Sequence, residues 1–305
     1  MACYHPRDTW VTGCHPSGKK KLTFTKPELH WNYEKITIPC GQCIGCRLER
    51  SRQWAVRCVH EKQFHTEASF ITLTYRPQDL PENQSLVKSH YQKFMRRLRK
   101  AYPEKKLRFY MCGEYGANLG RPHFHGAIFG LEFSDKTLWS IRNDQRLYTS
   151  KTLEDIWGKG FVVIGDVTFE SAAYIARYIT KKILGKNAED HYIKVNETTG
   201  EIHNVLPEYT GMSLKPGIAA EYYKKYKEEI YFNDSIILNG RVMNPPRYYD
   251  KLLERENPTL LETIKVKRKE DAQQYKHNNT KRRLQDRETC KKSQLKHLPR
   301  HIEEL

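Results

Sequence analysis

His123-Phe124-His125 is the segment of this 305-residue chain best suited to chemistry. Side chains alternate faces along a strand, so residues i and i+2 project to one side and two imidazoles there can share a metal ion. Glu114 sits in the preceding strand-like segment. Residues 115–121, with Gly116 and Gly120, suit a hairpin connection that would return the carboxylate to the histidine pair. Two imidazoles and a carboxylate suit a divalent ion with open positions, Mg²⁺ or Mn²⁺, that polarises a phosphate oxygen. An HxH pair alone is more often two polar residues on a sheet face, so its company decides its weight.

That company is Tyr174-Ile-Ala-Arg-Tyr178-Ile-Thr-Lys181-Lys182. On a helix, positions 174, 178 and 181 follow the i, i+4, i+7 rule and place two phenols and an ammonium on one stripe. A tyrosine stripe is ordinarily core packing. A lysine suits a core badly, however, and Ile175, Ile179 and Ile183 form a neighbouring apolar stripe that can pack instead. A phenol has an unperturbed pKa of about 10, so its attack on phosphorus needs a cation to stabilise phenolate or a metal to activate the electrophile. Lys181 and Arg177 suit the first role, the ion of Glu114, His123 and His125 the second. Together the two segments describe phosphoryl transfer to tyrosine.

In this order, Phe70-Ile-Thr-Leu-Thr-Tyr75, Glu114 with His123-Phe-His125, and Tyr174-x-x-x-Tyr178-x-x-Lys181 resemble the three motifs of the HUH rolling-circle replication endonucleases. More narrowly, Cys40-Gly-Gln-Cys-Ile-Gly-Cys-Arg-Leu-Glu-Arg-Ser-Arg-Gln-Trp54, Gly113-Glu-Tyr-Gly116 and residues 174–182 are similar to the replication initiation proteins of gokushovirus-type Microviridae phages. The similarity covers most of residues 1–230. It implies an α+β fold: a five-stranded antiparallel palm flanked by helices, on which the HxH strand and the tyrosine helix converge. It also implies a metal-dependent DNA nickase and strand transferase. A tyrosine attacks an origin phosphodiester, stays bonded to the 5′-phosphate and frees a 3′-OH for the host polymerase; a later 3′-OH attack reseals the strand. Two tyrosines one turn apart allow a second cut while the first end is held, and which acts first stays open. The implied partners are single-stranded or melted origin DNA and host helicase and polymerase, in the cytoplasm of an infected bacterium. A transposase or relaxase would share this core, and a non-catalytic zinc-containing DNA-binding regulator would share its binding residues.

Three of the eight cysteines are packed as Cys40-Gly-Gln-Cys43-Ile-Gly-Cys46. Three thiolates at that spacing can reach one ion, and Zn²⁺ is the default soft-ligand choice in a reducing compartment. A closed structural site needs a fourth ligand. Cys3 is the first choice, Cys14 or His5 the next, and Cys58 the last because it lies in a helical run. Pro39-Cys-Gly-Gln-Cys43 also matches half of the zinc deaminase signature, whose HxE partner is absent upstream. Arg47, Arg50, Arg52 and Arg57, interleaved with Trp54, offer a DNA-contacting helix face, with Arg121, Arg177 and Lys182 beside the catalytic motifs. Ordinary solvated arginines would read the same way.

These side chains need elements to hold them. Residues 69–75, 107–114, 122–129 and 161–168 are strand-like, rich in β-branched and aromatic residues. Tyr91, Phe94, Met95 and Leu98 fall on one helix face, and residues 169–184 read as a helix capped by Thr168. Residues 209–217 read as a loop before a Tyr/Lys-rich helix at 218–229. The expected organisation is a Cys-rich module at 1–60, an endonuclease domain at 61–235 and a basic, mostly helical or flexible region at 236–305. With 53 Lys+Arg against 36 Asp+Glu, the net charge is +17, which points to nucleic acid or an anionic surface; 11% aromatic content favours the first because bases stack on rings. No apolar run approaches the roughly 18 residues of a membrane helix, and Met1-Ala-Cys-Tyr-His5 holds no hydrophobic signal core, so neither membrane insertion nor secretion is expected.

Overall fold

The computed structural model describes residues 3–16, 18–28, 33–116, 119–142, 145–177, 182, 187–195 and 200–296. The chain divides into two compact units, Met1–Glu49 with Lys265–Leu298 and residues 50–264 with 299–305. From the N-terminus, β1 (Arg7–Cys14), β2 (Lys20–Thr23) and β3 (Glu34–Ile38) form a three-stranded antiparallel sheet with β1 in the middle. Helix α1 (Ile44–Lys62) starts within the cysteine run. Then come β4 (Ala68–Thr74), α2 (Lys88–Ala101), β5 (Arg108–Tyr115), β6 (Pro122–Phe129), β7 (Thr137–Arg142), β8 (Gln145–Thr149), α3 (Lys151–Trp157), β9 (Val162–Asp166) and α4 (Phe169–Arg177). Beyond lie α5 (Asn187–His191), the small ladder of β10 (Ile193–Val195) and β11 (Ile202–Asn204), β12 (Tyr209–Met212) and α6 (Ala220–Phe232). A short hairpin of β13 (Ile236–Leu238) and β14 (Arg241–Met243) leads to α7 (Arg247–Glu256), α8 (Pro258–Gln274) and α9 (Lys281–Lys296), so the basic C-terminal segment is mainly helical.

The large sheet has the order β12-β5-β6-β4-β9-β8-β7, with every neighbouring pair antiparallel. It holds seven strands, not the five that the resemblance implies. The strands with weak sequence signals are the outer ones. β12 occupies the stretch expected to be a loop: Tyr-Thr-Gly-Met is too short to show a period of two, and it becomes a strand because β5 offers a free edge. β7 and β8 extend the opposite edge, and both are largely solvent-facing.

Alternation sorts the central strands into two faces. Ile71, Leu73, Met111, Phe124 and Ile128 pack against Tyr91, Phe94, Met95 and Leu98 of α2 and against Leu153 and Trp157 of α3. Phe70, Tyr110, Cys112, Ala127 and Phe129 point the other way, into a cluster with residues of α1, α4, α6 and α7. Glu61 of α1 accepts hydrogen bonds on this side from buried Arg108 of β5, from His65 and from the Ala219 amide, so the buried carboxylate is paired and fully used.

The histidine strand is packed tightly on its apolar face. A Cβ at Gly126 would stand 2.7 Å from the Tyr91 hydroxyl. That hydroxyl is itself buried without a hydrogen-bond partner among the described residues. Gly126→Ala is therefore expected to cost about 1–3 kcal/mol of overpacking. Adding Tyr91→Phe, which removes the colliding oxygen, should recover much of it. Urea unfolding of the two single variants and the double variant measures the coupling.

Candidate active site

Strand register builds the site. Glu114 on β5 lies directly opposite His123 on β6, and His125 lies opposite Thr72 on β4. All four residues therefore share the face opposite Phe124. His123 Nε2 stands 2.6 Å and His125 Nε2 3.0 Å from the same oxygen, Glu114 Oε1. The other nitrogens are held from behind: His123 Nδ1 is 3.1 Å from the Arg121 carbonyl, and His125 Nδ1 is 2.8 Å from Thr72 Oγ1. A carbonyl only accepts, so His123 Nδ1 carries the proton and Nε2 turns its lone pair to the carboxylate unless a second proton joins it.

Side-chain exposures are 2% for Glu114, 1% for His125 and 16% for His123, so the group opens toward His123. Burial pushes the Glu114 pKa up, but the hydrogen bonds from His123 and His125 outweigh it and hold the carboxyl below its ordinary range. Glu114 Oε2 is buried with no hydrogen-bond partner among the described residues. The donor set fits a divalent cation. Neighbouring ligands about 2.1 Å from one ion stand about 3 Å apart, close to the observed 2.6 and 3.0 Å, and the unpaired oxygen is a further donor.

Helix α4 begins at a reciprocal cap: the Ser171 amide donates to Thr168 Oγ1 at 3.1 Å and the Thr168 amide to Ser171 Oγ at 2.8 Å, in the manner of a capping box. Ser51 of α1 donates to the Ala173 carbonyl at 2.9 Å and fixes the helix laterally. Its inward face lays Tyr174 edge-on against His125, ring centroids 5.1 Å apart, with Phe70 at 6.5 Å. Tyr174 is 5% exposed, so it belongs to the packed cluster and to the histidine site at once. The Arg177 guanidinium lies 6.0 Å from the centre of the Tyr174 ring. Tyr178 and Lys181 lie outside the described residues, and Lys182 is half-buried.

The arginines divide. Arg121 serves the site's architecture: its carbonyl orients His123 and its guanidinium donates to the Tyr75 carbonyl at 2.9 Å. Arg57 is stacked between Trp54 and Tyr248, at 4.0 and 3.9 Å from their ring centres, and donates twice to the Ile218 carbonyl. That makes it a packing residue rather than part of an open DNA-contacting face. Arg50 is exposed and Arg47 half-buried on α1. Thr72 and the Arg121 carbonyl are the supporting groups that motif reasoning missed; no spacing rule marks them, because they lie opposite or beside the histidines only once the strands pair.

A second ligand group forms in the other unit. The sulfurs of Cys3, Cys40, Cys43 and Cys46 lie within 4.8 Å of one another, so Cys3 is the fourth member, while Cys14 is exposed and His5 is paired with Glu288 at 2.7 Å. Amide N–H groups of Tyr4, Cys40 and Cys43 point at these sulfurs at 3.3 Å. Burial acts to raise the Cys43 thiol, but amide hydrogen bonds led by Tyr4 lower its pKa to about 7, favouring thiolate. Thiolates about 2.3 Å from a tetrahedral ion stand about 3.8 Å apart; Cys3 and Cys43 are 3.9 Å apart.

Comparison with known proteins adds an independent line. A family model for the replication-associated protein ORF2 family matches residues 68–183, which span Glu114, both histidines and the tyrosine segment. The replication-associated protein ORF2 of Spiroplasma virus 4 is 34% identical over 77% of this chain and 74% of its own length. The replication-associated protein VP4 of Bdellovibrio phage phiMH2K is 30% identical over 78% of this chain and 74% of its own. Replication-associated protein ORF4 of Chlamydia phage 1 is 29% identical over 72% of this chain and 54% of its own. No solved structure matches. An antiparallel sheet with this ligand group, in a chain with these relatives, defines a phage-type replication-associated protein. In particular, the chain belongs to the ORF2 family of such proteins.

The hydroxyl behind His125 gives the site its first test. Thr72→Val keeps the shape but removes that hydrogen bond, and should weaken Mn²⁺ binding by about ten- to a hundredfold. Glu114→Ala should abolish it. Titration calorimetry with Mn²⁺ reads both.

Proposed function

We propose that the chain is a replication initiator that nicks single-stranded or melted origin DNA through a tyrosine and rejoins strands in rolling-circle replication. The observation that carries this reading is Tyr174 lying edge-on to His125, 5.1 Å away, so that a candidate nucleophile and a candidate metal ligand share one buried corner. Glu114, His123 and His125 would hold a divalent ion, Mg²⁺ or Mn²⁺, which when bound supplies polarisation of a non-bridging phosphate oxygen. The chain's own residues do the rest. The Tyr174 oxygen attacks phosphorus and its proton goes to solvent; the bond to the 3′ oxygen breaks, and that oxygen takes up a proton to leave as a hydroxyl. The 5′-phosphate remains on tyrosine. Arg177 and Lys181 are assigned to stabilise the phenolate and Lys182 to a flanking phosphate, with Tyr178 as the second nucleophile. Arg47 and Arg50 are assigned to backbone phosphates at a distance from the cut. Host helicase and polymerase would use the freed 3′ end, in the cytoplasm of an infected bacterium. No described helix is long and apolar enough to cross a membrane.

Incubation with Mn²⁺ and an origin-derived single strand should give a protein–DNA adduct that survives a denaturing gel. Tyr174→Phe and Tyr178→Phe should each leave part of the activity or separate cutting from rejoining, and the double change should abolish both. His125→Ala should remove the adduct but keep salt-sensitive DNA binding, since lysine and arginine contacts to phosphate carry that affinity. Binding without any adduct would favour a non-catalytic DNA-binding regulator. Full activity in the double variant would mean the nucleophile lies elsewhere.

The cysteine group is proposed to hold a structural Zn²⁺ through Cys3, Cys40, Cys43 and Cys46. Protein purified without chelators should carry about one zinc per chain at this site. Cys43→Ser should lose that zinc and lower the thermal midpoint, as metal analysis and calorimetry would report. An unchanged zinc content would remove the assignment.

A further inference from the structure

The outermost strand of the large sheet carries an exposed apolar run. Leu138, Trp139 and Ile141 of β7 are 54%, 50% and 60% exposed. Natural edge strands usually blunt such surfaces with charge, proline or a bulge, because an apolar edge invites pairing with other chains. β7 has a bulge: Leu138 pairs with Tyr148 and Ser140 with Leu147, which leaves Trp139 as the extra residue. Bulges disrupt the ladder and re-aim a side chain. The Arg142 guanidinium stands 5.5 Å from the centre of the Trp139 ring. Arg146, opposite Ile141, is exposed, and the Lys136 ammonium lies over the Tyr148 ring at 4.8 Å while paired with Glu132. From 136 to 149 the sequence sets Lys136, Arg142 and Arg146 against Asp144, the last outside the described residues.

We propose that the β7–β8 hairpin is a base-stacking contact for single-stranded DNA, with Trp139 as the platform and Arg146 on a backbone phosphate. An exposed indole beside arginines is the combination that holds unpaired bases, since stacking uses the ring face and the cations follow the backbone. The place in the sheet agrees. β7 lies four strands from the histidine strand, and at about 4.8 Å per strand this is about 19 Å, within the span of a short oligonucleotide engaged at the proposed cutting site. A second copy of the chain fits this edge less well. The bulge interrupts the backbone ladder it would use, and a symmetric pairing would bring Arg142 and Arg146 of two strongly basic molecules together. The proposal rests on the DNA-processing reading above, but it concerns binding and not cleavage.

The test uses full-length protein carrying Tyr174→Phe, so that cutting cannot alter the signal. Affinity for a fluorescein-labelled single strand of mixed sequence is read by anisotropy over a salt series. Trp139→Ala should weaken binding between about fivefold and a hundredfold with little change in salt slope, and Trp139→Phe should keep most of the affinity. Arg146→Ala should lower the salt slope by about one. In the unmutated protein, an iodouracil-substituted strand should photocrosslink to the peptide holding Trp139, a readout that needs no variant to fold. Unchanged single-strand affinity in folded Trp139→Ala, or crosslinks confined to other peptides, would overturn the proposal and leave the nickase reading standing. So would a Trp139→Ala protein whose only change in sedimentation is loss of a dimer. No single-strand binding by the unmutated protein would overturn both.

Discussion

The site depends on one constraint, the register that sets Glu114 opposite His123 across β5 and β6. Side chains on a strand have a period of two, so a slip of one residue would send Glu114 to the α2 face and bring Phe124 in its place. The apolar face prevents that slip. Met111, Phe124 and Ile128 are each locked among α2 and α3 side chains, and Gly126 admits the Tyr91 ring where any larger residue would push it away. The chemistry on one face is thus held in place by packing on the other. Burying a carboxylate is costly unless it is paired, and here the two imidazoles supply the pairing that its burial demands.

The second face has to be core and active corner together. α4 contributes Ala172, Ile175 and Ala176 to the cluster, and the same helix face delivers Tyr174 to His125. Its position is overdetermined by the Thr168–Ser171 cap and the Ser51 bond to the Ala173 carbonyl. Part of the chain's excess positive charge is consumed by this architecture. Arg57 is sandwiched between two rings, Arg108 neutralises Glu61, and Arg121 braces the β4 end through the Tyr75 carbonyl. A net charge of +17 therefore overstates the basic surface open to a polyanion.

The N-terminal sheet has a different physical basis. In β1 only Thr9 is fully buried, and β2 and β3 have no buried residue. So thin a core offers little hydrophobic stabilisation, and small units of this kind usually need a metal or disulfides. The four converging sulfurs are the feature of this unit that could supply it, which is the physical argument for the proposed zinc.

His123-x-His125 and Glu114 could be read as a ligand set from spacing alone, because strand alternation and a glycine-bearing turn are local properties. Thr168 as a cap, the apolar stripe of α2 and the three-cysteine run were legible for the same reason. The choice of Cys3 as fourth ligand, the strand formed by β12, the β7–β8 extension and the role of Thr72 were not determined locally. Each depends on which distant segment lies alongside, and a four-residue strand or a lone threonine carries no periodic signal of its own. The arginines show the limit most directly. Arg50 and Arg57 look alike in sequence, yet one is exposed and the other lies between Trp54 and Tyr248, because only the folded chain brings a ring from residue 248 to the flank of α1. Sequence by itself determined which chemistry the chain carries; tertiary structure decided which groups are free to perform it, since burial and pairing are made by contacts far apart along the chain.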